Sequence, residues 1–132
     1  MSGSSAPSTV EHRSSLSVDD ALQRITEAIV RHGMTIFATI DHAANAREAG
    51  LTMPRATVLI YGAAKGGTPI MLACPSAALD LPLRVLVRED KAGKAIVAFH
   101  PIAETLIQAG VPKDAAARLE PAQQLLLIAV AC

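Results

Sequence analysis

Aromatic side chains are nearly absent from this chain, which has no tryptophan, one tyrosine (Tyr61) and two phenylalanines (Phe37 and Phe99). The core must therefore come from Leu, Ile, Val, Ala and Met, and the stacking rings that single-stranded nucleic-acid binders use are missing. Neither sign of charge is in excess, with twelve Lys and Arg against twelve Asp and Glu. That excludes the basic footprint of a duplex binder and leaves self-association unopposed by net repulsion. Cysteine is scarce: Cys74 and Cys132 make neither a disulfide framework nor a metal-binding spacing. This usage suits a reducing cytoplasm, with Cys74 as a small buried apolar residue. Long apolar runs are lacking too; the longest, residues 125–132, is under half of the roughly 20 residues a membrane helix needs. Residues 1–9, MSGSSAPST, have no basic or apolar block of the kind a signal peptide carries. They read as a disordered tail ahead of a single domain over 10–132, and no nucleic-acid or membrane partner is expected.

What is present is a regular alternation of elements. Residues 9–14 read as a short edge strand. Ser17 ahead of Val18-Asp19-Asp20 is a helix cap followed by acidic first-turn residues, and Leu22, Ile25, Ala28 and Ile29 recur at helical spacing up to Gly33. Met34 to Ile40 predicts a strand with Met34, Ile36, Ala38 and Ile40 on one face. Asp41 can cap a short helix from His42 to Ala49, and the β-branched run Thr57 to Tyr61 predicts a buried strand. Thr68 can cap a helix with Pro69 at its first position. Leu83 to Arg88 and Lys94 to His100 flank a polar turn and predict a β-hairpin. Pro101, Pro112 and Pro121 each open a helix, the last packing Leu125, Leu126, Ile128 and Ala129 inward. The expected fold is a two-layer α+β domain: an open, mainly antiparallel sheet of four or five strands with helices on one face.

Three separated blocks carry a family likeness. They are Ile40-Asp41-His42-Ala43-Ala44-Asn45-Ala46, the stretch Gly62 to Met71 with Lys65-Gly66-Gly67-Thr68-Pro69, and Asp80-Leu81-Pro82-Leu83-Arg84-Val85-Leu86-Val87 with Glu89-Asp90 and Gly93-Lys94 behind it. Together they resemble the bacterial domain-of-unknown-function family 302, over residues 10–120. The resemblance implies a small α+β domain, often dimeric, and no established activity. Two positions depart from the pattern: Ala63-Ala64 stand where relatives read Asn-Pro, and Arg88 replaces a common aromatic.

Candidate chemistry concentrates at Lys65 to Thr68. Two glycines, a cation and a helix start are the ingredients of a small anion site. The stretch is not a P-loop, because counting from Gly62 puts Thr68 where that motif requires Lys. Asp41 and His42 close a strand, Asp41 reading first as a cap and His42 as a candidate base. His100 could meet them across the sheet, but no metal spacing supports a cation site. Arg84 and Arg88 share a strand face and could pair with Glu89 or Asp90, while His12 and His32 read as surface residues. No Gly-x-Ser-x-Gly elbow exists. The leading expectation is a domain binding a small anion through Lys65, Gly66, Gly67 and Thr68 beside Asp41 and His42, with no cofactor and no metal. The alternative is a ligand-free homodimer that works by interaction. An enzyme using His42 or His100 as base ranks third.

Overall fold

The computed structural model describes residues 8–131, so the tail expected over 1–9 lies outside the described residues except for Ser8 and Thr9, as does Cys132. Five strands form one antiparallel sheet: β1 (Val10–Ser17), β2 (Thr35–Asp41), β3 (Ala56–Gly62), β4 (Leu83–Glu89) and β5 (Lys94–Phe99), in the order β1-β5-β4-β3-β2. Six helices complete it: α1 (Val18–Arg31), α2 (His42–Glu48), α3 (Ala64–Ala73), α4 (Ile102–Gln108), α5 (Lys113–Ala117) and α6 (Pro121–Val130). A 3-10 turn at Pro75–Asp80 links α3 to β4. The result is the two-layer α+β fold that the pattern predicts.

The two local caps form as the side-chain chemistry requires. Ser17 Oγ accepts from Asp20 N at 3.1 Å, and Asp41 Oδ1 accepts from Ala44 N at 2.9 Å. Gly33, with φ of 77°, takes the left-handed conformation that lets the chain leave α1 for β2. Alternation in the three central strands sends Leu59, Tyr61, Leu83, Val85, Val87, Ala95, Val97 and Phe99 into one cluster with Ile25 and Ile29 of α1, Leu106 of α4 and Leu126 of α6. The core is thus aliphatic with one tyrosine, whose hydroxyl donates to the Ala122 carbonyl at 2.9 Å.

Four expectations require correction. First, α3 does not start at Thr68. It starts at Ala64, because the N–H groups of Gly66 and Gly67 already reach the Ala63 carbonyl at 3.0 and 3.1 Å. Pro69 lies inside this helix, and Thr68 caps nothing. Second, α6 turns Gln123, Leu126 and Val130 inward and leaves Ile128 75% exposed. Third, β2 does not alternate evenly. Its register jumps between Ile36, paired with Tyr61, and Ala38, paired with Ile60. The extra residue at Phe37 puts Ile36 on the helix side while Ala38 and Ile40 face the other way. Fourth, Cys74 is half-buried rather than buried, with its Sγ near enough to donate to Ala109 O at 3.4 Å.

Candidate ligand-binding cleft

The sequence-predicted residues fall into two separate places. Asp41 pairs with Thr57 at the start of β3, whereas Thr35 pairs with Gly62 at its end. Asp41 and His42 therefore stand at the opposite end of β3 from Lys65, about 17 Å apart along the strand at roughly 3.3 Å per residue. Lys65, Gly66, Gly67 and Thr68 lie in the first two turns of α3 rather than in a loop, and the helix has no side-chain cap. Neither Gly66 nor Gly67 has a positive φ, so their backbone angles do not require glycine. His42 is exposed in the first turn of α2. It does not meet His100, which follows β5, because β4 and β3 lie between β5 and β2. That separates the two strands by about 14 Å at roughly 4.8 Å per spacing.

Of the other histidines, His32 is exposed and its Nδ1 stands 2.8 Å from the Ala28 carbonyl, while His12 is half-buried rather than on the surface. Arg88 pairs with Glu11 at 3.2 Å, not with Glu89 or Asp90. The Arg84 side chain forms no ion pair or hydrogen bond among the described residues, and the residue is exposed.

A different convergence appears where β4 begins and β5 ends. His100 Nδ1 lies 2.8 Å from the Ser8 carbonyl and 3.4 Å from Thr9 Oγ1. A carbonyl only accepts, so Nδ1 carries a proton and, in the neutral ring, the lone pair is on Nε2. The backbone at His100 is held by Gln123, which is only 4% exposed. Gln123 Nε2 donates to the His100 carbonyl at 2.9 Å, and Gln123 Oε1 accepts from Ile102 N at 3.0 Å. One buried amide thus ties the end of β5 and the first turn of α4 to α6.

Two clefts meet at Arg84 and His100. One, of about 220 Å³, has an apolar floor of Val58, Leu86 and Ala98, with Thr9 and Glu11 on its rim. The other, of about 310 Å³, reaches Asp80, Thr105 and Gln123. Arg84 and His100 line both. A larger cleft of about 510 Å³ opens at the tip of the β4–β5 hairpin, and apart from Lys91 its charged side chains have partners among the described residues. Arg13 stands 3.9 Å from Asp90, Arg88 is held by Glu11, and Glu89 Oε1 accepts from Arg55 N at 3.0 Å. The Asp90 carboxylate accepts from the N–H groups of Lys94 and Ala92, and these bonds, that of Lys94 foremost, hold its pKa below the ordinary value.

Arg84, His100 and Gln123 were not among the leading candidates from sequence. Gln123 carried a readable signal: it precedes Leu126 and Val130 by three and seven residues, and so shares their inward stripe. Arg84 carried none that distinguishes it from Arg88. Among the described residues no group of three or more His, Cys, Asp or Glu could hold a metal ion, and no helix is long and apolar enough to cross a membrane.

Comparison with known proteins places the chain. The family model described as "Domain of unknown function DUF302" matches residues 10–127. A crystal structure titled as an uncharacterised conserved DUF302 protein from Bacillus stearothermophilus superposes with a TM-score of 0.84, covering 92% of this chain and 97% of that one. Its sequence identity is 14%, so the likeness is one of fold. Two proteins named "Fluoride-specific ion channel FluC 1", from Brucella suis and Brucella abortus, are each 40% identical over 86 residues, or 65% of this chain. The chain spans 33% and 31% of those relatives' lengths. The chain belongs to the DUF302 family.

Proposed function

For this member of DUF302, a family whose description names no activity, we propose a binding role: the domain holds a small anionic ligand at the cleft where Arg84 meets His100. The observation that carries the reading is the meeting of two clefts on an arginine without a partner among the described residues. Arginine offers a planar set of donors suited to a carboxylate or phosphate. His100 shares the rim of both clefts with its Nδ1 proton turned to the Ser8 carbonyl, so the donors offered to the anion are those of Arg84. The sequence alone pointed to the same ligand class at Lys65 to Thr68, but there the glycines are helical and the cation stands apart from Asp41 and His42. The names of the Brucella relatives concern one small anion, so fluoride belongs among the probes.

The test is thermal stabilisation by acetate, phosphate and fluoride, compared across the parent, Arg84→Gln and Lys65→Ala. Binding at the cleft predicts a rise in Tm that Arg84→Gln abolishes and Lys65→Ala preserves. The opposite pattern moves the site to α3, and no rise with any anion defeats the reading.

A second reading, a homodimer, is favoured by the outer edge of β2. That strand, Thr35 to Asp41, carries no Lys, Arg or Pro, and Phe37 is 55% exposed. Edge strands without such guards invite pairing with a second copy. Light scattering at micromolar concentration checks it: a dimer that Phe37→Lys dissociates supports pairing through β2, and a monomer removes the reading.

A further inference from the structure

The face of the sheet turned away from the core cluster is built as a set of rows. Ile40 pairs with Val58, Val58 with Leu86, and Leu86 with Ala98, so four apolar side chains cross the sheet in one line. The neighbouring row is Ala38, Ile60 and Arg84, and the row on the other side is Ala56, Arg88 and Ile96. Val58, Ile60 and Leu86 are only half-buried, and Ile40 is 36% exposed, so the line is not sealed. Its end under Leu86 and Ala98 is the floor of the cleft of about 220 Å³ that Arg84 and His100 border.

We infer that the anionic ligand is a monocarboxylate with an unbranched apolar tail, its head on Arg84 beside His100 and its tail along Leu86, Val58 and Ile40. The inference rests on the binding role proposed above and names the ligand class. Charge complementarity selects the head group. On this face Arg88 is neutralised by Glu11 at 3.2 Å and Arg13 stands 3.9 Å from Asp90, while Arg84 remains free among the described residues. The direction of the tail follows from the other cleft, where the Asp80 carboxylate has no partner among the described residues and repels a second negative charge. An anion anchored on Arg84 therefore extends its tail away from Asp80 and over the apolar row. Four strands span about 14 Å, a length that favours a chain over a compact anion. Each methylene buried on the row adds to affinity through the hydrophobic effect, which a bare anion cannot use.

The experiment is isothermal titration of the full chain with acetate, butyrate, hexanoate and octanoate, with octylamine and 1-octanol as controls for the tail alone. Affinity is expected to rise stepwise with chain length, so that octanoate binds at least tenfold more tightly than acetate. Arg84→Gln lowers affinity for every acid at least tenfold. Leu86→Gln lowers that for octanoate and leaves acetate unchanged. The chain-length series on the parent protein keeps the test decisive should Leu86→Gln fail to fold. Acetate and octanoate binding equally, with both dependent on Arg84, overturns the tail and leaves the anion reading standing. Octylamine or octanol binding as tightly as octanoate overturns the carboxylate head. Loss of a dimer in light scattering on Leu86→Gln assigns the row to a second copy of this chain and overturns the inference. No binding by any acid defeats both readings together.

Discussion

Gln123 and Tyr61 show how few polar groups hold an otherwise aliphatic interior. Gln123 satisfies the His100 carbonyl and the Ile102 N–H from a buried position. Gln123→Ala leaves both backbone groups without partners, and a loss of about 2–3 kcal/mol is expected from urea unfolding. The same variant loosens the backbone at His100 and so weakens anion binding at the cleft. Arg84→Gln removes an exposed, unpaired cation and should leave the unfolding midpoint unchanged while it weakens binding. Tyr61 makes a prediction about pH. Burial pushes its phenol well above the ordinary value of about 10. Below that pH the phenol is protonated in both states and the native state bears no ionisation penalty. As pH rises above about 10 the unfolded chain ionises first, so stability falls with increasing pH. Tyr61→Phe costs about 1 kcal/mol at neutral pH through the lost bond to Ala122, and it flattens the decline above pH 10. Urea midpoints measured from pH 8 to 11 check both statements. A parallel decline in parent and variant would show that Tyr61 is not responsible.

At the scale of elements, legibility followed how local each signal is. Ser17 and Asp41 announce their helices through hydroxyl and carboxylate contacts only three residues away, and both caps form. The hairpin of β4 and β5 was equally readable, since its turn and both strands are contiguous in sequence. The start of α3 was not. Thr68-Pro69 is a good opening for a helix, but four preceding residues continue the same helix backward to Ala64 at the end of β3. Tertiary placement of the chain after Gly62 overrode the local signal there. The bulge at Phe37 was also hidden, because one extra residue in β2 has meaning only against the register of β3. The candidate site suffered most. The ligand proposed for it is of the class expected at Lys65 to Thr68, but the meeting of Arg84 with His100 depends on two strands coming side by side. The helical state of Gly67 has a measurable consequence. A Cβ there would make ordinary contacts of 3.7 Å to Leu81 and 3.8 Å to Met71, so Gly67→Ala should stabilise by about 0.5–1 kcal/mol. At Gly66 the new Cβ would stand 3.3 Å from Leu119, and the gain there should be smaller. Thermal unfolding of the two variants tests the helix directly; destabilisation by Gly67→Ala would restore the loop that Thr68-Pro69 suggested.

For the whole molecule, the helical layer shields one face of the sheet and the other is left with an apolar line between two arginine-bearing rows. The central strands are filled by Leu, Val and Ile, so the scarcity of aromatic residues does not weaken the core. It does mean that the rows of the outer face between β2 and β5 offer aliphatic and charged side chains. The two edges of the sheet also differ in kind. β1 carries Glu11, His12 and Arg13, whereas β2 between Thr35 and Ile40 carries no charge, so only one edge is guarded against pairing. The fold shared with the Bacillus stearothermophilus protein at 14% identity shows that this architecture tolerates wide change in sequence. Function must therefore be sought in particular side chains rather than in the fold. The most direct measurement is a two-dimensional amide NMR titration of the full chain with acetate. The account predicts shifts concentrated at Arg84, Leu86, Phe99 and His100, absent in Arg84→Gln. Shifts centred instead on Ala64 to Gly67, and unaffected by Arg84→Gln, would contradict it.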